Sequence, residues 1–101
     1  MPDRVLVPGT LLLAKPGYFL WFDPPCIGVT DWFDRRKYAE LGRRGALCMS
    51  LGQLYRSGRN EEYAQVVAGG RVGWMSRQCL KECPGENYDW ADDPWLRRER
   101  R

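Results

Sequence analysis

Residues 66–80 read VVAGGRVGWMSRQCL. An apolar stretch runs into Gly69-Gly70, restarts, and continues through Val72, Gly73, Trp74 and Met75 to a short polar stop. Two glycines between apolar runs predict a two-residue β-hairpin, because both central positions of the favoured turn need positive φ. The preceding YAQVVA alternates, with Tyr63, Gln65 and Val67 on one face and Ala64, Val66 and Ala68 on the other. That period of two predicts a strand. RVGWM returns as its partner, SRQC predicts a single tight helical turn, and LKEC a last short strand.

Working outward, ALCMSLGQLY reads as a further strand and RSGRNEE as a polar loop. TLLLAK, between Pro8-Gly9 and Pro16-Gly17, reads as the first strand. Residues 18–45 read as a long loop rich in aromatics and charge. Within it YFLWF and CIGVT are candidate strand edges, divided by Pro24-Pro25, which cannot donate to a ladder. FDRRKYAELG predicts one or two helical turns, capped by Asp34 and closed by Gly42. Many short strands with glycine-rich turns and no long helical period predict a small all-β barrel. At 101 residues the chain is one domain by size. Residues 1–83 are expected to form the barrel, and 84–101 an extended C-terminal arm.

Apolar residues make up 44% of the chain and aromatics 13%, enough to argue against disorder. Sixteen basic residues against 13 acidic ones leave a net charge of +3, too small by itself to mark a nucleic-acid binder. The apolar runs of residues 1–17 are too short for a secretory leader, and no run is long enough to span a membrane. The expected setting is a reducing cytosol, or a particle assembled in one, where cysteines are thiols or metal ligands.

The stretch YAQVVAGGRVGWMSRQCLKE resembles the distal hairpin, 3₁₀ turn and closing strand of SH3-like barrels. In that family the return strand reads roughly G-x-V-G-W-V, and an apolar residue then enters the last strand. Gly70, Val72, Gly73, Trp74, Met75 and Leu80 fill those places, and the resemblance spans about residues 10–83. It implies a five-stranded SH3-like barrel with a long first loop. Small stand-alone proteins of this look are often encoded by bacteriophages, which implies a minor virion component (tail, neck or capsid accessory). Peptide-binding members keep a Pro and a Tyr within the 3₁₀ turn and a groove Trp at the start of a long strand. Here the turn is Ser76, Arg77, Gln78, Cys79, and Gly45-Ala46 stand where the Trp was sought. Recognition of PxxP ligands is therefore not expected.

Catalysis has little support. The chain has no His, the usual general base near neutral pH, and no phosphate loop or nucleophile elbow. Cys79-x₃-Cys83 has ligand spacing and makes these two weak metal candidates, but Cys26 and Cys48 are isolated. Small buried apolar thiols are the favoured reading for Cys26, Cys48 and Cys79. No cofactor and no small-molecule substrate is expected.

Tyr18, Trp21, Phe22, Trp32 and Phe33 crowd a loop that a small barrel cannot wholly bury. They read either as anchors of a protein interface or as a local minicore. The tail NYDWADDPWLRRERR sets Tyr88, Trp90, Trp95 and Leu96 among charges, with Arg97 and Arg98 following. It is expected to dock on a neighbouring subunit. The expected function is a non-enzymatic protein-interaction or assembly module whose partners are protein subunits of a larger assembly. A nucleic-acid-binding barrel, using Arg35, Arg36, Lys37, Arg43 and Arg44 with the terminal arginines, is the first alternative. A small zinc-stabilised regulatory protein is the second.

Overall fold

In the computed structural model, the described residues are 4–24, 36–40, 45–57, 61–85 and 88. They form an all-β fold around one antiparallel sheet. Its strands are β1 (Leu11–Ala14), β2 (Phe19–Trp21), β3 (Tyr38–Glu40), β4 (Ala46–Arg56), β5 (Glu62–Ala68), β6 (Arg71–Ser76) and β7 (Leu80–Glu82). The order across the sheet is β3-β2-β6-β5-β4-β1-β7. Short 3₁₀ turns lie at Arg4–Leu6 and at Arg77–Cys79.

The β5–β6 hairpin forms as expected. Gly69 and Gly70 have φ of 58° and 77°, so both turn positions are left-handed. The register runs from Ala68↔Arg71 to Tyr63↔Ser76. Alternation then decides what is buried. Ala64, Val66 and Ala68 join Met75, Cys48, Leu12, Ala14, Leu20, Cys79 and Leu80 in the main core. Tyr63, Gln65, Val67, Val72 and Trp74 stand on the opposite, outer face. TLLLAK lacks alternation because both its faces are covered. Leu12 lies in the main core, while Leu13 is buried in a smaller cluster with Cys83.

β4 serves two neighbours by bending. Its register on β5 shifts between Ser50 and Leu54. A bulge of this kind kinks a strand and increases its twist. Ser50 fixes the bend. Its hydroxyl donates to the Val5 carbonyl at 2.6 Å and accepts from the Gly52 N–H at 3.2 Å. The N-terminal 3₁₀ turn is thereby fastened under β4.

Two expectations need correction. Seven strands form among the described residues rather than five, because residues 18–45 are not only a loop. They contain β2 and β3, paired as Phe19↔Glu40, Leu20↔Ala39 and Trp21↔Tyr38. The helical turn expected across Tyr38–Glu40 is therefore a strand. The ring centroids of Phe19 and Trp21 lie 4.5 and 4.9 Å from that of Tyr38. Such cross-strand aromatic pairs outweigh the weak helical preference of RKYAE. CIGVT, Asp34 and Gly42 lie outside the described residues.

Candidate functional site

The outer face of the β2–β3 hairpin continues onto β6, β5 and β4 as one aromatic surface. Trp21 is the register partner of both Tyr38 and Trp74. Tyr55 pairs with Tyr63 and lies 6.1 Å from Trp74, ring to ring. Trp74 thus packs on the rim and not in the core, which takes its neighbour Met75. The junction is tight because β6 carries Gly73 where β2 crosses. Leu20 and the Trp21 carbonyl occupy the space a side chain would need there.

Where this surface meets the 3₁₀ turn, an open cleft of about 250 Å³ forms. Tyr18, Phe19 and Trp21 at β2, Glu61 and Tyr63 at the start of β5, and Ser76 and Gln78 at the 3₁₀ turn line it. Three chain segments, far apart in sequence, build it. The Tyr63 hydroxyl donates to Glu61 Oε2 at 2.8 Å. Burial, then the bond to Glu61 and its charge, hold the Tyr63 hydroxyl well above its ordinary range, so it stays a neutral donor. Glu62 beside it accepts from Arg77 at 3.2 Å and from Arg56 at 3.4 Å, tying β4, β5 and the 3₁₀ turn together. Four aromatic rings and one carboxylate, Glu61, thus line the cleft.

The residues singled out from sequence fall in different places. Tyr18 and Phe22 are half-buried and packed against the main core. Arg71 lies over the Phe22 ring at 5.5 Å. Trp21 is only 5% exposed, so it lines the cleft as a buried ring and is not a protruding anchor. Tyr88 packs on Leu13 and Cys83 of its own chain. Trp32, Phe33, Trp90, Trp95, Arg97 and Arg98 lie outside the described residues. Phe19, Tyr63, Glu61 and Gln78 were missed by the sequence reading. Alternation placed Tyr63 on the outward face, but only the fold sets it opposite Phe19. An aromatic side chain does stand beside the 3₁₀ turn, at the start of β5 rather than of β4.

The cysteine spacing does not make a site. Cys79 belongs to the main core and Cys83 to the cluster on the other side of β1, so their thiols do not converge. Cys48, Cys79 and Cys83 are free and buried; Cys26 lies outside the described residues. Among the described residues no three His, Cys, Asp or Glu gather as metal ligands would. Burial pushes the Cys48 and Cys79 thiols from 9.0 up to about 12. A thiol that ionises more easily when unfolded stabilises the fold below pH 9.0 and loses that contribution as pH rises toward 12. Folding stability, measured by urea unfolding, is expected to fall steeply across this window. Cys48→Ala combined with Cys79→Ala should flatten the fall, and an unchanged slope would assign it to other groups.

None of the described helices is long and apolar enough to cross a membrane. No family model matches the chain, and neither does any curated protein or solved structure.

Proposed function

We propose that this chain is a non-enzymatic protein-interaction module of a larger assembly, built on an SH3-like barrel and docking its partner in the Tyr18–Phe19–Tyr63 cleft. The strand order β7-β1-β4-β5-β6, the tight β5–β6 hairpin and the 3₁₀ turn before β7 support the barrel reading. The β2–β3 hairpin occupies the long first connection. The setting, a minor component of a phage virion, comes from the resemblance alone.

The carrying observation is the cleft itself: four aromatic rings and the Glu61 carboxylate line one hollow, open to solvent. Aromatic rings desolvate an aliphatic stem, and the Glu61 carboxylate favours a basic head group. The fitting partner is an extended protein segment carrying a Lys or Arg beside an apolar residue. With Ser76 capping the 3₁₀ turn, and Cys79 within it fully buried in the core, the turn presents a different surface from a PxxP groove. Nucleic acid is the weaker reading, because the cleft's charged lining residue is Glu61, which would face its phosphates.

The test is selection of binding segments from a peptide display library on the full chain. Enriched segments should be basic and apolar. Phe19→Ala is expected to cost about 2 kcal/mol of binding, roughly thirtyfold in Kd. Glu61→Lys should reverse the preference for basic segments. Duplex DNA binding that weakens steeply with salt, without peptide enrichment, would favour the nucleic-acid reading instead.

A further inference from the structure

The cleft is continuous with a second open hollow of about 230 Å³. Glu61, Ser76 and Gln78 line both hollows. The first adds the four aromatic rings, and the second adds Glu62 and Arg77.

The two neighbouring carboxylates are balanced differently. Glu62 pairs with two arginines, Arg77 at 3.2 Å and Arg56 at 3.4 Å. Among the described residues no cation pairs with Glu61. Its Oε2 accepts the Tyr63 hydroxyl at 2.8 Å, and its Oε1 has no partner among the described residues. A cationic ligand can therefore add a charge-assisted hydrogen bond at Glu61 without displacing an existing ion pair. Glu61 is exposed, so its charge steers and orients a ligand more than it holds one. That charge attracts lysine and arginine alike, which leaves the choice between them to the rings.

Trp21 and Tyr63 are only 5% and 4% exposed, whereas Tyr18 and Phe19 are half-buried. A ligand therefore meets the Tyr18 and Phe19 rings. We infer, building on the cleft proposed above, that the two hollows form one groove whose basic ligand is an arginine side chain, with lysine disfavoured. A guanidinium is planar and weakly hydrated, so it lies flat on a ring and leaves water at little cost. An ammonium is compact and strongly hydrated, and loses more on the same surface. The guanidinium also spreads five donors over a fork. One head group can thus address Glu61 together with Ser76 or Gln78, which line both hollows. The same stretch of chain already receives a guanidinium on an aromatic face, since Arg71 lies 5.5 Å over the Phe22 ring.

The probes are three blocked heptapeptides of alanine and one leucine, with a central arginine, lysine or norleucine. Each is titrated into the full chain and followed by amide chemical shifts. The arginine peptide is expected to bind about tenfold more tightly than the lysine peptide, and the norleucine peptide least tightly. Phe19→Leu keeps an apolar side chain but removes the ring, and should erase the difference between arginine and lysine. Glu61→Gln should weaken both cationic peptides and leave the norleucine peptide unchanged. If Phe19→Leu does not fold, Tyr18→Leu takes its place. Equal binding of arginine and lysine, or a preference that survives loss of the ring, would overturn the arginine assignment and leave the cleft standing. Norleucine binding as tightly as arginine would make the groove merely apolar, and would also overturn it. If none of the three peptides shifts the cleft residues, the cleft reading falls and the arginine assignment falls with it.

Discussion

Gly73→Ala is expected to cost about 2–3 kcal/mol of folding stability. A Cβ at Gly73 would lie 2.6 Å from Leu20 Cγ, 2.7 Å from Leu20 Cδ1 and 2.7 Å from the Trp21 carbonyl oxygen. Leu20 is buried in the main core and cannot swing aside. The carbonyl is backbone, so β2 itself must move. Overpacking of this kind costs about 1–3 kcal/mol, and displaced backbone places this case at the upper end. For a domain of about this size each kcal/mol is worth roughly 4–8 °C, so the thermal midpoint should drop by about 10–20 °C. The same shift should weaken partner binding, because β2 carries Phe19 and Trp21 into the cleft. A Gly73→Ala protein with unchanged midpoint would mean that β2 does not dock on β6.

Leu12→Ala should be at least as costly, at about 3 kcal/mol. Leu12 is fully buried between β4 and β7, paired with Cys48 and Glu82. Removing a buried leucine side chain costs the lost transfer energy plus the cavity left behind, about 2–5 kcal/mol in all. Leu54 is the control. It is 42% exposed near the end of β4. Leu54→Ala should stay within about 0.5 kcal/mol. Urea unfolding of the two variants compares them directly. Equal losses would remove the assignment of Leu12 to the centre of the core.

Local signals were legible wherever the sequence carried its own reason. Gly69-Gly70 announced a turn needing positive φ, and the alternation of residues 63–68 announced which side faces inward. The single turn at Arg77–Cys79 was also readable. β3 was not. Residues 34–42 have helical composition, and their strand exists only because Trp21 and Phe19 offer Tyr38 an aromatic surface. The cleft was legible in part for a related reason. Tyr18 and Trp21 stood out as clustered aromatics, yet Tyr63, Glu61 and Gln78 reach the same place from two other segments. Cys79 and Cys83 failed in the opposite direction. Their spacing suggested a pair, and the alternation along β1 placed them on opposite sides of a strand.

The claim at the centre is that the chain docks a protein segment between β2 and the start of β5. Amide chemical-shift mapping of the full chain, titrated with a selected basic-apolar segment, tests it most directly. Saturable shifts should cluster at Gly17, Tyr18, Phe19, Tyr63 and Gln78, which line the cleft, and should vanish in Phe19→Ala. Shifts centred elsewhere on the sheet, or binding left intact by Phe19→Ala, would contradict the claim.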